Sequence, residues 1–378
     1  MRYYVISGEA SGDLHSSNLI RAIHRLDADA QIRAWGGDLC EAAGAEVVKH
    51  YRDLAFMGFL EVAKNIRTIL GNIKFCKSDI EAYQPDALIL VDYPGFNLRI
   101  AKWAKAAGFK VFYYISPQVW AWNTGRVHKM KRIIDHLFVI LPFEPTFYES
   151  FGMQVDFVGH PLMDVIPNYP TRSDFRSVNG LDPGKPIIAL LPGSRKQEIK
   201  RMLPEMLGVV ADFPDYEFVV AGAPAIPDAF YQEVLAGVSV KMVGNQTYDL
   251  LNEARFALVT SGTATLETGM FGVPQVVCYT GNRWSYLLAK RLIKVDYICL
   301  VNLILDRPLL KELIQKELNP TNLKLALQEL EDPNHRTQIE AGYRELHEKL
   351  GAPGASARVG RQIVAYIKKP AIPLDSRS

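Results

Sequence analysis

Short runs of aliphatic, aromatic and β-branched residues recur along this chain, each closing on a tight turn and followed by a longer stretch of helical period. The first five are "RYYVI" (2–6), "DALILVD" (86–92), "KVFYYI" (110–115), "HLFVIL" (136–141) and "QVDFVG" (154–159). All but the last are apolar almost throughout, as strands are when both faces are buried in a parallel sheet covered by helices. A second set restarts the pattern with "KPIIALLPG" (185–193), "YEFVVAG" (216–222), "VSVKMVG" (238–244), "ARFALVTSG" (254–262) and "PQVVCYTG" (274–281). Between the sets, residues 160–184 are rich in Pro, Asn, Asp, Ser and Gly and read as an interdomain linker. The expectation is an α/β chain of two Rossmann-like domains, 1–167 and 168–350, whose parallel sheets face each other across a cleft. From residue 305 onward the pattern turns helical, beginning with "RPLLKELIQKEL". A last helix within 351–378, after the break "GAPGAS", can cross back to the first domain or reach a partner.

Composition narrows the function. A net charge of +2 over 378 residues gives no domain-wide basic field, so nucleic acid is not an implied partner. The four cysteines lie far apart with no CxxC pair, which suggests neither a zinc site nor a disulfide framework and fits a reducing cytoplasm. The first residues contain no signal-peptide core, and no apolar stretch approaches the roughly 18 residues of a membrane span. Peripheral contact with a membrane stays open.

The chemistry should lie in the turns after strands. In "VISGEASGDLHSS" (5–17), Gly8 and Gly12 flank a strand-to-helix turn that places Glu9, Ser11 and Asp13 together, with the helix expected to start near Asp13 or Leu14. The acidic Glu9 would repel a pyrophosphate, so this loop reads as a sugar site, or else as a tight turn with Asp13 as a helix cap. Asp92 ends an otherwise apolar strand in "LVDYPGFN", where a carboxylate is costly without partners or a task; a helix cap is the plainer alternative. In "YYISPQVWAWNTGRVHKMKRI" (113–133), Trp120, Trp122 and Arg126 suit a sugar or an anionic head group.

The second set of strands repeats the device. Arg195 in "LLPGSR" stands at the mouth of a turn, where it can meet phosphate charge; an ordinary ion pair with Glu198 is the weaker reading because the arginine comes so early. In "TSGTATLE", Ser261, Gly262, Thr263 and Thr265 open a helix with free N–H donors fit for a diphosphate, and Glu267 one turn on can take a ribose diol; a plain N-cap is the alternative. The motif "DAD" (27–29) closes a helix rather than a strand and reads as surface, so no metal site is expected. His160 in "GHP" reads as a turn residue. Phe56, Met57 and Phe59, and the stretch 282–305 with Arg283, Lys290, Arg291 and Lys294, combine apolar and basic side chains as an interfacial helix on an anionic membrane does; core helix is the other reading.

Taken in order, "SGEASGD", "VDYPGFN", "SPQVWAW", "VGHPL", "LLPGSR" and "TSGTATLE" resemble the lipid A disaccharide synthases, inverting glycosyltransferases of the GT-B fold. The resemblance implies transfer of 2,3-diacylglucosamine from UDP-2,3-diacylglucosamine to the 6-hydroxyl of 2,3-diacylglucosamine 1-phosphate, giving a β(1→6) disaccharide and UDP with no cofactor. It implies Asp92 as the essential carboxylate with Glu9 in reserve, and Arg195 as the arginine of "PGSR". Asn302, Glu312 and Gln315 become nucleotide contacts, although Val301 and Lys311 stand where the family has proline. A cytoplasmic enzyme peripheral to the inner membrane, with a homodimer allowed, follows from the same resemblance. Three alternatives share parts of this pattern: a peptidoglycan-lipid N-acetylglucosaminyltransferase, a UDP-sugar 2-epimerase, and a non-catalytic UDP-sugar sensor at a membrane.

Overall fold

A computed structural model describes residues 1–54, 66–281 and 296–368. Phe56, Met57 and Phe59, and the four basic residues from Arg283 to Lys294, lie outside that range. The chain divides into two compact units, Met1–Met163 with Gly351–Ser378, and Asp164–Leu350.

The first unit is built on a seven-stranded sheet: β1 (Arg2–Ile6), β2 (Gln31–Gly36), β3 (Glu46–His50), β4 (Ala87–Val91), β5 (Val111–Tyr114), β6 (His136–Val139) and β7 (Asp156–Phe157). Its order is β3-β2-β1-β4-β5-β6-β7, and neighbours pair in parallel. Successive residues of β1 feed opposite cores, which is why the run is apolar without alternation. Tyr4 and Ile6 pack with Leu88, Leu90 and Tyr113 against helices carrying Ile80, Ile100 and Met130. Tyr3 and Val5 pack with Ile89, Val91 and Phe112 against Ile20 and Ile23 of helix Ala10–Leu26 and Val359 and Ile363 of helix Ala355–Lys368. Helix Ala355–Lys368, the last among the described residues, is therefore part of the first unit. It lies close on Ala10–Leu26, and a Cβ at Gly360 would come within 3.3 Å of the Ala22 methyl.

Strands β2 and β3 have no apolar run to announce them. "QIRAWG" alternates polar and apolar residues, and "EVVKH" forms the sheet edge, where every residue keeps some solvent contact. Arg33 secures this side, bonding Glu46 and Asp79 at 2.9 Å each.

The second unit holds β8 (Ile187–Leu191), β9 (Glu217–Gly222), β10 (Lys241–Gly244), β11 (Ala254–Thr260), β12 (Gln275–Tyr279) and β13 (Glu312–Ile314), in the order β10-β9-β8-β11-β12-β13 and again parallel. Here the structure corrects the reading of residues 307–318 as helix. Glu312–Ile314 pairs with Val277–Tyr279 along the edge of β12, followed by a single 3₁₀ turn. The apolar spacing at Leu309, Leu310, Leu313 and Ile314 suits either period, and the open edge of β12 decides it. Helices Pro320–Glu331 and Pro333–Leu350 complete the unit.

Candidate functional site

Each sheet reverses its winding at one place, between β1 and β4 in the first unit and between β8 and β11 in the second. The loops leaving the carboxyl ends of two such strands diverge, and ligands of open α/β sheets bind in the crevice they leave. Glu9, Asp92, Arg195, Ser261 and Gly262 fall on these four loops, and Ser11, Thr263 and Thr265 in the first turns of the helices that follow them.

In the first unit Ile6 of β1 is in register with Leu90 of β4, so Glu9 and Asp92 leave adjacent strands side by side. Burial first, and the negative charge of Glu9 second, push the Asp92 carboxyl up from 3.8 to about 6 against the opposing hydrogen bond of the Tyr93 backbone N–H. The chain turns here through two non-glycine residues in the left-handed region, Asp92 at φ 47° and Tyr93 at φ 50°. Ile115, at the end of neighbouring β5, has φ 65°, a β-branched residue where such residues are rarely found. Each of these conformations costs about 1–3 kcal/mol, and such strain gathers at functional sites. The strain at Asp92 is held: its carbonyl accepts from the Asn97 amide at 2.7 Å and the Tyr113 hydroxyl at 2.6 Å, and its N–H donates to Tyr114 O at 3.0 Å.

Gly8 is needed because the Tyr93 ring lies on it; a Cβ there would sit 2.5 Å from the ring. The following helix begins at Ala10, earlier than expected, with Glu9 as its N-cap residue in an extended conformation. Ser11 is thus in the exposed first turn. Asp13 is a cap, though not for its own helix. Its carboxylate accepts from the N–H groups of Gly37 (2.7 Å), Leu39 (3.1 Å) and Cys40 (3.1 Å), closing the start of Asp38–Ala42.

After β5 and β6 the loops are tied by a residue that sequence reasoning passed over. Glu144 is buried; it accepts from the Ser116 hydroxyl, from Ile140 N (3.1 Å) and from Leu141 N (2.9 Å), and burial raises its carboxyl. Trp120 is buried in this segment with its ring edge-on to Phe143 at 5.0 Å, whereas Trp122 is 52% exposed with the Arg126 guanidinium 5.1 Å over its ring. The exposed aromatic side chain of this segment is therefore Trp122, beneath Arg126. His160 is buried and accepts from Leu162 N at 3.2 Å, and burial lowers its pKa to about 3, with the nearby His15 acting in the same direction.

In the second unit Leu191 of β8 pairs with Val259 of β11, bringing Arg195 and the Ser261–Thr265 turn to one end of the sheet. Arg195 is the N-cap residue of Lys196–Leu207. It forms the ion pair that its early position argued against, with Nη1 2.8 Å from Glu198 Oε1. The extended backbone of an N-cap residue turns the side chain back along the first helical turn, so the pair closes over three residues. Both partners keep substantial exposure, which makes the pair cheap to exchange for another anion.

Among the described residues no side chain caps helix Thr263–Met270. The Ser261 hydroxyl donates to Ile298 O (2.9 Å) and that of Thr265 to Gly262 O (2.8 Å), so these hydroxyls shape the turn while its N–H groups face outward at the helix start. Glu267 accepts from the Tyr248 hydroxyl at 2.7 Å, and burial raises its carboxyl. Asn302 is buried, donating to Leu310 O and to Glu312 Oε1 and accepting from Leu310 N. Glu312 in turn accepts from the N–H groups of Ile298 and Cys299, at 3.1 Å each. The pair thus holds Ile298 and Cys299, the first of which accepts from the Ser261 hydroxyl at its carbonyl. Gln315, at φ 56°, lies against Thr280 and Gly281. Among the described residues no three His, Cys, Asp or Glu side chains gather as a metal centre.

Comparison with known proteins adds an independent line. A family model described as lipid-A-disaccharide synthetase matches residues 3–362. A lipid-A-disaccharide synthase of Geobacter metallireducens is 40% identical over 97% of this chain and 98% of its own length. Among solved structures, a UDP-GlcNAc 2-epimerase of Neisseria meningitidis bound to UDP-GlcNAc superposes with a TM-score of 0.67 over 97% of this chain and 100% of that one, at 12% identity. A glycotransferase of kitacinnamycin superposes at 0.63, covering 97% and 99% at 15% identity. At such identities the two structures share the fold alone.

Proposed function

The chain belongs to the lipid-A-disaccharide synthase family, and from that premise we propose that Asp92 is the base of its transfer reaction. The protein is a glycosyltransferase that joins the 2,3-diacylglucosamine of a UDP derivative to 2,3-diacylglucosamine 1-phosphate, releasing UDP. Asp92 takes the proton of the acceptor 6-hydroxyl while that oxygen attacks the anomeric carbon from the face opposite UDP. The new C–O bond forms as the bond to the diphosphate breaks, its electron pair leaves with UDP, and the centre inverts. A carboxyl pushed up to about 6 is a better proton acceptor than an ordinary aspartate and is still ionised near neutrality. Glu9 adds a second negative charge where the sugar ring becomes cationic.

The donor's diphosphate is assigned to the second unit, where the start of Thr263–Met270 and Arg195 meet the charge that grows on UDP. Glu267 takes the ribose diol, Tyr248 turning its hydroxyl aside. The observation that carries this reading is the pair of carboxylates at the switch point of the first sheet, one of them buried on a strained turn. Incubating the protein with both acylated sugars should yield UDP and β(1→6) disaccharide in equal amounts. UDP without disaccharide, or an epimerised UDP-sugar, would contradict it.

Acylated substrates imply a membrane surface. Among the described residues no helix is long and apolar enough to cross a membrane. Helix Ile66–Tyr83 exposes Leu70 and Phe75 beside Arg67 and Lys74, a mixture suited to an anionic interface. Co-sedimentation with anionic but not neutral vesicles is the expected result, and no vesicle binding would remove this part.

A further inference from the structure

We propose that Asn97 is a positioning residue for the transfer reaction, its side-chain amide acting with the Tyr113 hydroxyl as a clamp on the turns that carry Asp92 and Glu9. The inference rests on the reading of Asp92 as the base. Asn97 lies in the first turn of helix Pro94–Ala106 and is fully buried. Its Nδ2 faces three backbone carbonyls: Asp92 O at 2.7 Å, Val91 O at 3.3 Å and Ile6 O at 3.3 Å. Ile6 ends β1, three residues before Glu9, whereas Val91 ends β4 and Asp92 opens the turn after it. One amide group therefore joins the two strand ends between which the sheet reverses.

Packing alone does not call for asparagine here. Leucine has nearly the same shape and would bury more apolar surface, and the Asn97 carboxamide oxygen is buried with no hydrogen-bond partner among the described residues, which costs stability. What asparagine alone supplies is the pair of N–H donors. They are aimed at the carbonyls of Asp92, Val91 and Ile6, next to two consecutive residues in the left-handed region. That conformation persists only where the surroundings over-determine it. The second restraint comes from the opposite side, where the wholly buried Tyr113 spends its hydroxyl on Asp92 O at 2.6 Å. With both donors gone, the Asp92 carbonyl would stay buried without these bonds, and the turn would relax toward an extended conformation that re-aims the carboxylate.

The test compares Asn97→Leu and Tyr113→Phe with the unaltered protein, and measures Asp92→Asn in parallel. Tyr113→Phe removes one hydroxyl and leaves the ring in its core, so it reports even where the leucine variant fails to fold. The expected result is a kcat lower by about 100-fold for Asn97→Leu and about tenfold for Tyr113→Phe, since small misplacements of a reacting group carry penalties of that order. The KM for the UDP-sugar should stay within about twofold. The acid limb of the kcat–pH profile should move below 6 toward the ordinary carboxylate value as the loosened turn lets water reach Asp92. A merely structural role would lower the melting temperature and leave both kcat per folded molecule and the acid limb unchanged, and that result overturns the clamp. If Asp92→Asn abolishes turnover while both clamp variants keep kcat and limb, only this inference fails. Turnover surviving in Asp92→Asn removes the base reading and the clamp with it.

Discussion

Replacing Asp92 by asparagine should destroy catalysis and at the same time make the fold more stable at alkaline pH. The folded protein holds this carboxyl at about 6 against 3.8 for an unperturbed aspartate, so folding takes up a proton that the unfolded chain has already lost. A carboxyl raised in this way leaves stability intact below the unfolded value and subtracts from it as pH rises through the folded one. At 1.36 kcal/mol per pH unit, the gap between 3.8 and about 6 bounds the penalty at roughly 3 kcal/mol at pH 8. Asparagine has the same shape and tolerates a φ of 47° as well as aspartate does, so the substitution brings no backbone cost. Allowing for residual solvent around Asp92, the gain should be about 1–3 kcal/mol, which for a unit of this size is a rise of roughly 3–10 °C in the melting temperature. The assay is thermal unfolding of both proteins from pH 8 down to pH 4. The difference should close between pH 6 and about 4, where both side chains are neutral. Equal or lower stability of the Asp92→Asn variant at pH 8 would mean that the native carboxylate is well compensated, and the electrostatic case for a strained base would fall. Stability given up at a catalytic residue is a familiar exchange.

Three further substitutions separate function from scaffold. Asp13→Ala removes the acceptor for three backbone N–H groups and should cost about 1–3 kcal/mol by chemical denaturation, with kcat per folded molecule unchanged. Gly8→Ala places a methyl 2.5 Å from the Tyr93 ring, so the ring beside Asp92 must shift; steady-state kinetics should show kcat down by at least about tenfold. Arg195→Ala loses only an exposed ion pair and should change stability by less than about 0.5 kcal/mol, while calorimetry should show UDP binding weakened roughly 10- to 100-fold.

Sequence revealed most where a strand is buried on both faces, because only then does the run lack polar residues; β1, β4 to β6, β8, β9, β11 and β12 were legible for that reason. Of the edge and near-edge strands, β7 and β10 were read from short mixed runs, whereas β2, β3 and β13 were not. "QIRAWG" and "EVVKH" carry charges outward, and β13 exists because β12 offered it an unpaired edge. The site followed a similar rule. Asp92, Glu9 and Arg195 stood out as charges placed after apolar runs. Asn97 lay inside a motif already singled out, yet its task depends on the carbonyls of Ile6 and Asp92, which only the parallel pairing of β1 with β4 brings together. Glu144 and Asp13 are likewise defined by backbone N–H groups from other elements. The Arg195–Glu198 pair was discounted on local position alone, and the extended N-cap backbone made it.

The account turns on Asp92 accepting the acceptor's proton, and the dependence of kcat on pH under saturating substrates measures this most directly. It should rise with unit slope and level off with a midpoint near 6, and the whole of that activity should vanish in Asp92→Asn while UDP still binds. A rate that stays flat down to pH 4.5, or turnover that persists in the Asp92→Asn enzyme, would contradict it.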